Sequence, residues 1–551
     1  MFLKNQFIKR FNLAAMAVII AAGSAAVQAG KTGTPKDESG KTSADVKYKC
    51  LFNHESAIFC TFTKDKSPQE SGPEYLASFI EKLEGTDVDA VMFCPTAWRA
   101  NIFPSEIDPW WKDYREGQVT EKWRGYDYIM KYLHDGGDPV AETLAACRKN
   151  EIDFLISYRM NDAHYIVDKD WPTHTDFWRD NPQYWLGDSN ISATFKTEED
   201  NVRLHNYMLK PVRDWYFSIL EELCTNYDID GIELDFQRAP RFFYNRETEA
   251  GKKVMTGFVK RIRDMIDRIG TQRGKSLKLC VRVPETLAKC DKAGLDVIEW
   301  DRLKLVEMIN ISPYYLQSLE VDIEDYKTNT AHAKIYAEMP RHTQAIVAPK
   351  YSDGLRYANI QTYRGTALNF LARGADGVSL FNYDYIPHGS PSLAEKRSQE
   401  SKLLKDITNI EFLRTAEKLY IISPLRDSRL MVERNKTVKN ETTVDAVIPD
   451  DTSKKKFTRC VLRVETKDNC QDIDISARLN AELLEECEFE KTEFFEPVVE
   501  TGHGYPPAEK LKFYAVPLSD ITAGKNTFRI LNLDKETESC EIVSLELALY
   551  R

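Results

Sequence analysis

Histidine is scarce in this sequence, nine among 551 residues, and the nine are scattered. A metal-dependent hydrolase such as a deacetylase clusters His and Asp ligands at strand ends, so neither a metal nor a cofactor is expected. No CxxC pair occurs among the 11 cysteines, which removes the usual spacing of a zinc site. Cys60, Cys94 and Cys280 lie in apolar runs, where a small buried thiol is the simple reading. Cys460, Cys470, Cys487 and Cys540 come late in the chain, where one or two disulfides are expected. Positive charge is in deficit: 75 Lys and Arg stand against 86 Asp and Glu, for a formal net charge of −11. That balance argues against the basic face a nucleic-acid partner needs. Beyond the first residues no apolar run approaches the ~20 residues that span a bilayer. Aromatics are plentiful, and 26 Phe, 26 Tyr and 9 Trp can bury a large core, which excludes disorder as the main state.

Residues 1–29 read as an address. Lys4, Lys9 and Arg10 make a basic start, residues 13–22 an apolar stretch, and Val27-Gln28-Ala29 the small-x-small pattern of a signal-peptide cleavage site. A periplasmic or secreted protein is expected. Residues 30–46, rich in Gly, Ser, Thr and Lys, read as a flexible leader. From 47 to 415 a short β-branched or aromatic run repeatedly gives way to a helical stretch. The eight runs fall at 48–53 or on to 62, 90–95, 152–160, 229–236, 278–284, 308–314, 334–339 and 377–383. Helical segments such as 73–83, 139–150, 202–227 and 252–269 separate them. Such alternation predicts an α/β fold with a parallel sheet, and eight units predict a closed (β/α)8 TIM barrel. From 416 to 551 the pattern changes to strands at 443–448, 458–465, 473–479, 512–516, 527–531 and 542–548, with a hairpin at 521–527. That reads as a C-terminal antiparallel β-sandwich, an accessory domain.

Barrel enzymes hold their chemistry at the C-terminal ends of the strands. Strand four reads Asp230-Gly231-Ile232-Glu233-Leu234-Asp235-Phe236, and alternation sends Glu233 and Asp235 toward the axis. Two inward carboxylates are costly unless they do chemistry or pair with a cation, for which Arg282 and Arg159 are candidates. Strand seven supplies Glu338, and strand five ends in Arg282-Val283-Pro284-Glu285. Glycoside hydrolysis needs two carboxyl groups flanking the bond, and strands four and seven face each other across an eight-stranded barrel. Trp98, Tyr158, Trp171, Trp178, Trp185, Tyr314 and Tyr383 lie at or past strand ends, where rings can stack on sugar faces. Arg99, Arg159, Arg238, Arg282 and Arg341 end or follow five of the strands. Their forks suit sulfate or carboxylate groups, or else the catalytic acids themselves. His54, Asn161 and His164 are candidates for hydroxyl contacts.

The strand-four motif, the strand-six Asn310-Ile311-Ser312-Pro313-Tyr314-Tyr315 and the strand-eight Gly377-Val378-Ser379-Leu380-Phe381-Asn382-Tyr383-Asp384 carry a likeness. Through them residues 47–415 resemble the glycosyl hydrolase-like 10 proteins and related clan A-type barrel glycosidases. The resemblance implies Asp235 or Glu233 as acid/base and Glu338 as nucleophile; Asn382 and Tyr383, at the end of strand eight, are candidates for substrate contacts. That clan carries Asn-Glu on strand four, where this chain has Leu234-Asp235. Asp235 and Glu285 also fit the α-amylase-like pattern, in which a strand-four Asp is nucleophile and a strand-five Glu the acid. The chitinase-like pattern comes near, but has Glu where this chain has Gln237.

The expectation is thus an exported glycoside hydrolase, retaining, acting on a polysaccharide or oligosaccharide that carries sulfate or uronate groups. Its alternative is a carbohydrate-binding protein on a degenerate barrel, without turnover. Sugar identity, linkage and oligomeric state are not encoded in any of these patterns.

Overall fold

A computed structural model describes residues 46–56, 73–113, 124–187, 202–314, 316–346, 354–384, 401–423, 430–433, 441–452, 457–466, 474–488, 511–533 and 539–551. The expected signal peptide, most of the leader, Cys60 and Cys470 lie outside the described residues.

Eight parallel strands close into a barrel: β1 (Cys50–Glu55), β2 (Val88–Cys94), β3 (Asp153–Arg159), β4 (Gly231–Asp235), β5 (Lys278–Pro284), β6 (Met308–Ser312), β7 (Lys334–Pro340) and β8 (Gly377–Phe381). Each neighbours the next in sequence, and β1 pairs with β8, Cys50 opposite Val378 through Asn53 opposite Phe381. The alternation of side chains builds two cores. Residues such as Phe52, Ile232, Leu234 and Val281 face the helices. Leu51, Met92, Leu155, Cys280, Met308 and Tyr336 fill the axis at its lower end.

The helices begin where their caps dictate. Asp138 Oδ1 accepts from the N–H groups of Val140 and Ala141, both at 3.0 Å, and Pro139 opens the helix Pro139–Lys149. The helix expected over 202–227 runs only Lys210–Asn226. Pro211 sits in its first turn, where a missing N–H costs nothing, and the proline ring keeps the preceding backbone from continuing the helix. The helix Thr248–Arg273 ends at Gly274, whose φ of 70° is the left-handed cap glycine allows. No helix of the described residues is long and apolar enough to cross a membrane.

Two antiparallel sheets follow the barrel. One contains β9 (Lys418–Ser423), β10 (Leu430–Glu433), β12 (Arg459–Thr466), β14 (Leu511–Ala515) and β16 (Ser539–Tyr550). The other contains β11 (Glu441–Ile448), β13 (Ile475–Leu479) and β15 (Gly524–Asn532). The stretch 521–527 is not a hairpin. It carries the chain from β14 in one sheet to β15 in the other, with Asn526 bonded to Thr522 and to the Gly524 carbonyl. Cys460 and Cys487 are free thiols, so no disulfide joins that pair.

Barrel and sandwich share packing. The barrel helix Ile360–Ala372 lies so close to β9 that a Cβ on Gly365 would stand 2.3 Å from the Leu419 carbonyl oxygen. Asn369 Nδ2 donates to the Val447 carbonyl at 2.6 Å, and Leu319 joins the sandwich's apolar core.

Candidate active site at the barrel mouth

Gly231 lets β4 lie hard against β5, since any Cβ there would meet the Lys278 carbonyl oxygen at 2.3 Å. The register then sets Glu233 opposite Ser157 and Cys280, and Asp235 opposite Arg159 and Arg282. Glu233 is fully buried. Its Oε1 accepts from Asn53 Nδ2 at 2.7 Å and Ser157 Oγ at 2.6 Å, while Oε2 accepts from Asn310 Nδ2 at 3.2 Å and Cys280 Sγ at 3.3 Å. Burial and then the neighbouring Asp235 charge push its carboxyl up. Glu233 is a polar plug that ties β1, β3, β5 and β6 to β4.

One layer higher, Arg282 occupies the axis between the strand-four and strand-seven carboxylates. Its Nη1 reaches both oxygens of Asp235, at 3.0 and 3.1 Å. Its Nε and Nη2 grip Glu338 at 2.5 and 2.7 Å, a bidentate fork. Ser312 Oγ donates to Glu338 at 2.5 Å, and the Phe381 ring lies 4.3 Å from the guanidinium. Burial opposes the Arg282 charge, but Asp235 and Glu338 outweigh it and keep the guanidinium ionised. Glu338 has no exposed surface, whereas Asp235 retains 4% and also accepts from the Gln237 N–H at 3.0 Å.

Above this triad five side chains form a closed ring. Glu55 Oε2, at the end of β1, pairs with Arg159 Nη2 at 3.0 Å and Arg238 Nη1 at 3.1 Å. Arg159 Nη1 meets Asp162 Oδ2 at 3.1 Å, and Asp162 Oδ1 meets His164 Nδ1 at 2.7 Å. His164 Nε2 stands 3.3 Å from Arg238 Nη2 and completes the ring. Desolvation lowers the proton affinity of His164, partly offset by Asp162, so the imidazole is neutral and its Nδ1–H faces the carboxylate. Burial alone would raise the Glu55 carboxyl, but Arg238 and Arg159 hold it well below the ordinary range. Tyr314, partly exposed and at φ 34°, lies under Arg238 at 5.0 Å.

The remaining expected site residues divide by face. Glu285 lies at the rim, its carboxylate paired with Lys289 one helical turn on. Arg99 is buried beneath the loop after β3, donating to the His164 carbonyl at 2.8 Å and lying 4.8 Å from the Trp178 ring. Trp98, at φ 56°, meets Tyr165 edge-on at 5.4 Å, and Tyr165 stacks on Trp171 at 3.6 Å. Asn161 braces two loops through the His205 and Arg241 carbonyls, at 3.1 and 2.9 Å. Asn382, at φ 53°, accepts the Glu55 N–H at 2.8 Å. Arg341 Nε faces His342 Nε2 at 3.0 Å. The structure does not bring His54, Tyr158 and Tyr383 into this cluster. His54 is fully buried 3.4 Å from Asp384, Tyr158 donates to Asn101 at 2.9 Å on the helix-facing side, and Tyr383 packs against Tyr363. Trp178 and Trp185 are buried in a satellite core.

Glu55, Asp162 and Tyr165 were not read from the sequence. Glu55 had a signal: alternation from Leu51 and Asn53 points position 55 inward, and the longer span of the first strand, on to 62, takes it in. Asp162 and Tyr165 lie in a loop with no period to betray them.

No protein-family model matches the chain, and no curated protein does either. Among solved structures it is similar to alpha-L-fucosidase isoenzyme 2 from Paenibacillus thiaminolyticus, at 13% identity and TM-score 0.41, over 66% of this chain and 50% of that one. The PgaB (BpsB) glycoside hydrolase domain from Bordetella bronchiseptica follows at 9% identity and TM-score 0.38, over 66% and 98% of the two chains. An alpha-L-fucosidase GH29 from Bacteroides thetaiotaomicron stands at 11% and 0.36, over 90% and 93%. The chain therefore spans half the length of the first. None of the three bears the name of the family its motifs resemble. These structural neighbours are glycoside hydrolases, and at such identities and scores no residue role passes from them to this chain.

Proposed function

We propose that this chain is an exported glycoside hydrolase that cleaves an anionic polysaccharide or oligosaccharide with retention, using two carboxyl groups. The observation that carries the reading is Asp235: an axial carboxylate at a strand end, held by Arg282 and retaining a trace of exposure where Glu338 has none. Between the assignments left open by the sequence, we take the one with a strand-four Asp as nucleophile and a strand-five Glu as acid, Asp235 and Glu285, since Asp235 keeps a trace of exposure and Glu338 keeps none. Glu338 is sealed and held by three hydrogen bonds, which suits a side chain that positions Arg282. The exposed Tyr165, stacked on Trp171 and next to His164 of the ring, offers an apolar edge for a sugar ring.

Turnover should be screened on sulfated, uronate-containing and neutral polysaccharides with wild type, Asp235→Asn, Glu285→Gln and Glu338→Gln. Loss of a general acid or base costs about 10²–10⁴-fold, so the first two variants should fall by that order. Near-normal turnover by either variant removes that residue from the mechanism. A second reading, carbohydrate binding without hydrolysis, is favoured by the commitment of both Asp235 and Glu338 to one guanidinium. Oligosaccharide binding with no turnover on any member of the panel would select it.

A further inference from the structure

Arg159 and Arg238 are nearly sealed from solvent, 3% and 4% exposed, and their Nε atoms find no acceptor among the described residues. Both guanidiniums converge on one oxygen, Glu55 Oε2, at 3.0 and 3.1 Å. The far end of Arg159 has Asp162, but Arg238 is otherwise met by the neutral His164 at 3.3 Å and the Tyr314 ring at 5.0 Å. Glu55 is the more open of the ring's two acids, its side chain 15% exposed against 3% for Asp162. It hangs from the last residue of a strand, whose backbone N–H donates to Asn382. Its carboxylate is an ionised oxyanion lodged between two buried forks, the geometry in which arginines read sulfate or carboxylate.

We propose that the Arg159–Arg238 pair is a receptor for a single oxyanion substituent of the substrate, and that Glu55 is its resident competitor, displaced when that anion arrives. Exchange of one anion for another leaves the charge of the ring unchanged, so the buried guanidiniums never go without a partner. The proposal rests on the reading of the mouth as a carbohydrate site, but oxyanion binding is measured without turnover.

Calorimetry and thermal shift of the full chain with inorganic sulfate, and separately with sodium glucuronate, provide the test. Wild type should bind both weakly. Glu55→Gln should bind at least one of them about ten-fold more tightly, as expected for a charge-assisted contact relieved of competition, and Glu55→Gln/Arg238→Ala should lose the gain. The arm with the larger gain identifies the substituent as sulfate ester or uronate. Equal affinity in wild type and Glu55→Gln, or a gain that survives removal of Arg238, overturns the proposal. If Glu55→Gln folds only when one of the anions is present, that rescue supports it. If neither anion restores its folding, the receptor does not exist. A chain without hydrolase activity leaves these binding curves unchanged, so failure of the functional reading is distinguished from failure of this one.

Discussion

Removal of the Arg282 guanidinium strands Asp235 and Glu338 as uncompensated charges in the barrel axis. Breaking a buried ion pair in this way costs about 3–5 kcal/mol, so Arg282→Met should lower the stability measured by urea unfolding by that amount. Arg282→Met/Glu338→Gln should recover part of it, because one stranded charge is gone. A neutral Arg282→Met would mean that the triad is not formed in the folded protein. The sequence already offered Arg282 and Arg159 as partners for the strand-four acids beside the catalytic reading. Alternation tells which side chains face the axis, but the register of neighbouring strands decides which of them meet. Arg282 could be placed in the axis from its own strand, whereas its fork on Glu338 depends on how β7 stands across from β5. His54 lies away from the cluster for the same kind of reason, since one residue's difference in parity turns an axis-facing residue into a helix-facing one.

The strands themselves were legible because each is a short apolar run with period two, and all eight barrel strands overlap their expected spans. The sandwich strands Lys418–Ser423 and Leu430–Glu433 escaped notice, as short runs next to a helix and beside turn-rich sequence carry little periodicity. Less legible still was the contact between elements. Gly365 gives no sign in the sequence that its helix touches a strand backbone, yet a Cβ there would meet the Leu419 carbonyl oxygen, which cannot move aside as a side chain would. Gly365→Val should therefore destabilise by about 1–3 kcal/mol through overpacking. It should also speed proteolytic cleavage between helix Ile360–Ala372 and β9 under native conditions. Unchanged stability and cleavage would show that the helix and β9 do not approach this closely.

Across the whole molecule, buried titratable groups set opposing pH dependences. Burial lowers His174 and His205 to about 3, so both are neutral in the folded chain and take up protons on unfolding below ~6.5. The unfolded state then binds more protons, and stability should fall as pH drops from ~6.5 toward 3, by up to ~5 kcal/mol for each at full titration. Asp108 works in reverse. Burial raises it to about 7, so the folded state keeps a proton that the unfolded state releases above ~4, and stability falls as pH rises from ~4 to 7. Thermal midpoints across pH 4–8 should therefore show a steeper rise toward neutrality in Asp108→Asn than in wild type, and a shallower one in His205→Gln. Parallel curves for all three proteins would mean that these groups titrate alike in both states. The strand order also carries a consequence in time. The barrel closes only when β8 reaches β1, and β9 finds its partner β16 only far downstream. Such long-range pairings make folding slow. Until the later strands arrive, β1 and β9 each present an open edge on which another copy of the chain can pair. Refolding yield should thus fall with protein concentration well before the native state itself shows any tendency to associate.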